Sequence, residues 1–251
     1  MINQSLLALA CGDSYGSHYE MMGLMGNSFA REELPDVPVE ITITDDTKMA
    51  TILLKHYMHT KGLNPSKLLE DYRQWAIKEG DQDGIGIQTK NVLVHASKNK
   101  DSQGNGALMR NIPFGCQLIE DGYSFEDAVN MMNKESALTH ANETIFQANC
   151  LALDLAINGS SVLEKELHKP ILSRLKFGKT AWVIYALYIV IEALKQDLNF
   201  IDGFKYIVSC GGDTDTNCAI FGAIKGHRED ISNSLPIEFF LTKKIEKYLN
   251  I

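Results

Sequence analysis

The chain has 251 residues, of which 45% are hydrophobic and 22% charged, the balance of a soluble globular protein with a sizeable core. Its 24 lysines and arginines stand against 32 aspartates and glutamates, a net charge of -8. That balance, with no basic run anywhere, excludes a dedicated nucleic-acid binder, which carries a clustered basic surface.

Taken in chain order, the pattern is mostly helical. Met1-Ile2-Asn3-Gln4 has no positive charge ahead of its apolar stretch, so it does not read as a secretory signal. Ser5 to Cys11 is an apolar helix start ending near Gly12. Arg31 to Glu40, with Pro35 and Pro38, reads as an exposed loop, and Val39 to Thr44 alternates like a short strand. Thr47 to His59 carries Met49, Ile52, Leu53 and His56 at helical spacing. Pro65 to Lys78 opens with a proline where a helix tolerates one. Glu143 to Ile157 places Ile145, Ala148, Ala152, Leu155 and Ala156 on one face. Lys179 to Lys195, Ile201 to Val208, Thr216 to His227 and Pro236 to Leu249 read as helices too.

The longest uncharged apolar run, Ala181 to Ile191, is shorter than the roughly 18 residues of a bilayer span, so it predicts a buried helix and no membrane partner. Five cysteines (Cys11, Cys116, Cys150, Cys210, Cys218) form no CxxC pair. Reduced thiols in a cytoplasm fit that number better than a disulfide framework. No repeat, low-complexity tract or composition break divides the chain. One all-α domain spanning residues 1–251 is the economical expectation, as a monomer.

Two segments stand out chemically. Thr44-Asp45-Asp46-Thr47 lies between the strand-like piece and a helix, and Gly211-Gly212-Asp213-Thr214-Asp215-Thr216 lies just ahead of another. Helix capping explains either alone, because Asp and Thr are favoured N-caps and first-turn acids suit the helix dipole. Capping needs only one such side chain per helix, and each segment offers at least three. If the segments meet in space, four carboxylates converge and cannot all stay ionised unaided. Two divalent cations would neutralise them. Oxygen-only ligands select Mg²⁺ or Mn²⁺ over zinc, and a pair of ions roughly 3.5–4 Å apart can clamp oxygens around a reacting centre.

With these segments, three further motifs follow in order: Gly12-Asp13-Ser14-Tyr15-Gly16 followed by Glu20, Gly104-Asn105-Gly106-Ala107-Leu108-Met109-Arg110, and Thr139-His140. Together the set resembles the ADP-ribosylglycohydrolases, relatives of the dinitrogenase reductase-activating glycohydrolase and the vertebrate ADP-ribosyl-acceptor hydrolases. The resemblance implies a compact all-α domain with a binuclear Mg²⁺ or Mn²⁺ centre. It implies Thr44, Asp45, Asp46, Asp213, Asp215 and Thr216 as metal ligands. Gly104, Asn105 and Gly106 match a loop that cradles the diphosphate, Met109 belongs to the same substrate-binding motif, and His140 matches a residue near the distal ribose. Glu20 matches an acid on a mobile loop closing over the metals. Asp83 stands near a position where some members place a catalytic base, although Asp81-Gln82-Asp83-Gly84-Ile85-Gly86 departs by about one residue from that pattern.

The implied reaction is metal-dependent hydrolysis of the bond between ADP-ribose and a modified acceptor, ADP-ribosyl-arginine on a protein being the first expectation. Glu20 or Asp46 would accept a proton, with Asp83 as a further catalytic candidate. Serine-linked, polymeric and O-acetyl-ADP-ribose are alternative substrates. A non-catalytic ADP-ribose-binding or blocking module, and a two-metal phosphoesterase acting on the diphosphate, are readings of other kinds. Trp182, Tyr185 and Tyr188 recur at helical spacing and predict core packing. His56 and His59 read as structural, and Cys210 and Cys218 as small buried hydrophobes.

Overall fold

A computed structural model of the protein describes residues 3–38, 40–233 and 243–249. Thirteen α-helices occur among them: α1 (Gln4–Gly16), α2 (Glu20–Leu24), α3 (Asp45–Thr60), α4 (Pro65–Lys78), α5 (Ile87–Leu93), α6 (Leu108–Glu120), α7 (Phe125–Ser136), α8 (Glu143–Asn158), α9 (Lys169–Leu172), α10 (Val183–Lys195), α11 (Phe200–Cys210), α12 (Thr214–Gly226) and α13 (Lys243–Leu249). Asn3, Thr44, Asn64, Ser124, Asn142 and Asn199 each accept a hydrogen bond from a first-turn backbone N–H, so local chemistry sets where six of these helices begin. No described helix is long and apolar enough to cross a membrane.

Helices α1 and α12 form the centre. Every residue from Ser5 to Gly16 and from Thr214 to Gly226 is buried, and α3, α6, α8, α10 and α11 pack around the pair. Small residues recur every four positions on both helices (Ala8, Gly12, Gly16; Cys218, Gly222, Gly226), which places them on one face of each. The backbones approach closely along this seam. A Cβ at Gly12 would lie 2.2 Å from the Cys218 carbonyl oxygen, and one at Gly222 would lie 2.2 Å from that of Ala8.

Several sequence expectations change. Helix α1 runs through Gly12 to Gly16, because that glycine faces the close seam and does not end the helix. Val39 and residues 234–242 lie outside the described residues, so only Lys243–Leu249 of the expected C-terminal helix can be placed. Residues 40–44 form no strand: the Thr44 N–H donates to Oδ2 of Asp13 at 3.0 Å, where a strand would donate to a ladder partner. Among the described residues the only β pairing is an isolated bridge between Gly104 and Trp182. Helices α2, α5, α6, α7 and α9 were not foreseen. Pro113 lies inside α6 and argues locally against a helix, yet Leu108 to Cys116 are all buried there, so tertiary packing outweighs the lost backbone bond.

Candidate active site

Three parts of the chain meet at one end of the central helix pair. Gly211 and Gly212 take positive φ values of 72° and 85°, reversing the chain between α11 and α12 and presenting Asp213, Asp215 and Thr216 at the start of α12. The first turn of α3 presents Thr44, Asp45 and Asp46. Asp13, buried in the last turn of α1, supports that turn of α3: its Oδ2 accepts from the N–H groups of Thr44 (3.0 Å) and Thr47 (3.2 Å) and from the Thr47 hydroxyl (2.5 Å), and its Oδ1 accepts from the Thr44 hydroxyl (2.8 Å).

The two acidic segments converge. The Thr216 hydroxyl donates to Oδ2 of Asp46 at 3.1 Å across the gap between α12 and α3. Oxygens of Asp13, Asp46 and Asp215 lie within 4.8 Å of one another, and so do those of Glu20, Asp213 and Asp215. Oδ1 of Asp46 is buried without a hydrogen-bond partner. A buried orphan carboxylate oxygen, an all-oxygen donor set and crowded acids fit hard divalent cations. Two clusters able to hold metal ions are therefore present.

Burial sets the electrostatics. It lifts Asp45, Asp46 and Asp215 well above the usual carboxylate range, with the neighbouring acids adding to the rise, although the Gly86 N–H and the Thr216 hydroxyl oppose it at Asp45 and Asp46. Asp13 is pushed up to about 6 by burial, against the hydrogen bonds from Thr44 and Thr47. Glu20 reaches about 7, first through burial and then through Asp213 and Asp13, with a hydrogen bond to Asp215 pulling the other way.

A cavity of about 600 Å³ opens over these acids. Glu20, Asp45, Asp213, Asp215 and Thr216 line it, as do Gly104, Asn105, Gly106, Met109 and His140. The sequence-predicted residues are thus largely brought together. Asp46, behind the lining, reaches the cavity residues through Thr216, and Thr44 caps α3 beside it. Asn105 donates from Nδ2 to Oδ2 of Asp213 at 2.6 Å, tying the glycine loop to the acidic centre. His140 packs under that loop, with Nε2 3.2 Å from where a Gly104 Cβ would stand. Burial, then Arg110 and Lys98, lower His140 to about 3, so its ring is neutral at ordinary pH.

Asp83 sits elsewhere. Its Oδ2 accepts from the Trp75 indole at 2.8 Å and lies 3.7 Å from Nζ of Lys48, and its side chain does not line the cavity. Its backbone carbonyl accepts from the Asp45 N–H at 2.7 Å, so its contact with the site is to hold the α3 turn.

Two features escaped the sequence reading. Trp182, expected in the core, is 46% exposed and lines the cavity, because α10 begins only at Val183 and leaves the indole on the preceding turn. It stacks on Tyr185 at 5.8 Å with an interplanar angle of 8°. Beneath the glycine loop, the fully buried Arg110 pairs with Glu135 at 2.7 Å and donates to the Thr139 hydroxyl and the Gly106 carbonyl. Tyr72 and Asn111 also donate to Glu135. Arg110 ends a quoted motif, but nothing local to it signals Glu135. His56 is buried against Asp71 and Asn64, as a structural histidine. Cys218 is buried, Cys210 partly so, and burial raises both thiols.

Comparison with known proteins bears on the fold and the family. A protein of Acanthamoeba polyphaga mimivirus, carrying the provisional name ADP-ribosyl glycohydrolase, is 24% identical over 232 residues, covering 73% of this chain and 69% of its own. A solved structure titled "ADP-ribosylglycohydrolase-related protein complex" superposes with a TM-score of 0.71 at 19% identity, covering 98% of this chain and 94% of that one, and so shares the fold. The family model for the ADP-ribosylglycohydrolases matches residues 2–243, and the chain belongs to that family.

Proposed function

We propose that this protein hydrolyses the bond between the anomeric carbon of ADP-ribose and a modified acceptor, with ADP-ribosyl-arginine on a protein as its substrate. The observation that carries the reading is the convergence of Asp46, Asp213, Asp215 and Glu20 beneath a cavity that also contains the Gly104–Gly106 loop. Thr44, Asp45, Asp46, Asp213, Asp215 and Thr216 would hold two Mg²⁺ or Mn²⁺ ions, which when bound supply Lewis acidity toward water and sugar oxygens.

The chain's own residues provide the rest. Glu20, near neutrality in its proton affinity, is suited to take a proton from the attacking water and pass one to the leaving nitrogen. The water oxygen then ends on the anomeric carbon and the proton on the acceptor. Asn105 keeps Asp213 aimed at the centre. Gly104 and Gly106, which line the cavity and let the loop lie close on the His140 ring, would carry the diphosphate along their backbone, and neutral His140 offers a hydrogen bond to the distal ribose without adding charge. Trp182 presents a half-exposed ring on which an adenine can stack. Beyond the acids that would hold the cations, the lining adds the carboxylates of Glu20 and Asp101 and no lysine or arginine, which favours a cationic guanidinium acceptor over a neutral hydroxyl.

The test is product release from an arginine-ADP-ribosylated protein with Mg²⁺, with Mn²⁺ and with EDTA. Free ADP-ribose that requires a cation is the expected result. AMP would replace the proposal with phosphoester chemistry. Binding of ADP-ribose without any product, on serine-linked and O-acetyl substrates too, would replace it with a binding module.

A further inference from the structure

Helix α2 and the residue after it read Glu20-Met21-Met22-Gly23-Leu24-Met25, and this short segment has three distinct sides. Glu20 and Leu24, four residues apart, both line the cavity. Gly23 faces the interior, where a Cβ would lie 2.4 Å from the Gly212 carbonyl oxygen. Met21 and Met25, also four apart and joined by a backbone hydrogen bond of 3.1 Å, point outward and are 72% and 75% exposed. On another wall Ile87, 82% exposed, lines the cavity one residue beyond Gly86, whose N–H donates to Asp45.

Large apolar side chains this open to water are costly, and grouped ones mark a binding surface. The segment is also held in place. Beyond its end, Nζ of Lys179 donates to the carbonyls of Gly26 (2.7 Å) and Asn27 (3.2 Å) and to the Ser28 hydroxyl (2.8 Å). The two thioethers therefore stand on an anchored platform beside the acidic centre.

We infer that this outer face of α2 is the docking surface for the polypeptide of the ADP-ribosylated acceptor, taking apolar side chains that flank the modified residue. The inference rests on the hydrolase reading above. A nucleotide sugar fits within a cavity of about 600 Å³, so Met21 and Met25, which lie outside the lining, serve a body larger than that ligand. The bond to be broken lies over the acids that Glu20 joins from the same helix. In this inference the acceptor attached at that bond leaves the cavity past α2, which carries Glu20, and past Ile87, whose neighbour Gly86 donates to Asp45. Methionine suits such a surface, because its flexible, polarizable side chain adapts to varied apolar neighbours.

The experiment compares two substrates: an arginine-ADP-ribosylated protein and ADP-ribosyl-agmatine, a small alkylguanidine adduct with no polypeptide. The double variant Met21→Ser/Met25→Ser is expected to lower kcat/KM on the protein by about tenfold, through KM, as loss of buried methionine contact predicts. Its rate on the small adduct is expected to match the parent, and Met21→Leu/Met25→Leu to recover the protein rate. Equal losses on both substrates would mean that α2 only positions Glu20, and no loss on either would mean that the face is idle. A parent dimer in sedimentation that the serine pair dissociates would assign the face to a second copy. Each of these three results overturns the inference. If the parent protein releases ADP-ribose from neither substrate, the hydrolase reading itself falls, and the docking inference falls with it.

Discussion

Asp13 shows how much of a site can rest on a residue that need not touch substrate. Both of its oxygens are occupied by Thr44 and Thr47, so it fixes the turn from which Asp45 and Asp46 project. Asp13→Asn places an N–H₂ against one donor at the Oδ1 position or three at the Oδ2 position and should weaken Mg²⁺ or Mn²⁺ binding by about 10–100-fold, the range for partners that orient metal ligands. Titration calorimetry measures it, and unchanged affinity would remove the positioning role. Asp46→Asn and Asp213→Asn should each abolish cation-dependent ADP-ribose release; full activity in either would end the metal assignment. The acids at turns were legible in the sequence, since several oxygen side chains packed ahead of a helix exceed what capping needs. Asp13 was not assigned a role, because a carboxylate inside an apolar helix gives no sign of which turn it faces. Trp182 was misread for a related reason: helical spacing does not mark where the helix starts.

At the scale of elements, the seam between α1 and α12 is the tightest constraint. Gly222→Ala would drive a methyl group into the Ala8 carbonyl, 2.2 Å from its Cβ position. Overpacking of this kind costs about 1–3 kcal/mol or more, so melting should fall by several degrees, while Gly62→Ala, with nothing within 4 Å, should leave it nearly unchanged. A melting temperature equal to the parent's for Gly222→Ala would show that the helices can part without penalty. Arg110→Met strands the buried Glu135 carboxylate, a change that costs about 3–5 kcal/mol, and it releases the Gly106 carbonyl. We expect thermal destabilisation together with a raised KM, and a raised melting temperature would contradict this. Of the capped helices, α3, α4 and α8 were readable in the sequence, α4 to the residue, whereas α7, capped by Ser124, was not. Helix α6 was not, because Pro113 masks it locally and only neighbours distant in the chain override the proline. The strand-like Val39–Thr44 alternation failed because a strand requires a partner, and the described part of it meets a side chain of α1 instead.

For the molecule as a whole, the acidic centre sets a pH dependence whose sign can be worked out. Asp13 at about 6 and Glu20 at about 7 lie above their ordinary values of 3.8 and 4.5, and Asp45, Asp46 and Asp215 are raised too. Between roughly pH 4 and 7 the folded chain therefore holds more protons than the unfolded one, and stability declines as pH rises through that window. In EDTA the protein should melt at a higher temperature at pH 5 than at pH 8. Adding Mg²⁺ or Mn²⁺ should restore more at pH 8, where the carboxylates have shed their protons and bind cations best. A flat melting curve in EDTA across that range would mean that the acids are not raised in the folded state. The Gly12–Cys218 contact has a further consequence, in time as well as space. A ribosome translating this chain releases Asp13, Asp45 and Asp46 long before Asp213 and Asp215 exist. Cation capture by the proposed centre thus waits until Thr216 has been made, and a nascent product aborted before that residue is expected to lack the proposed site.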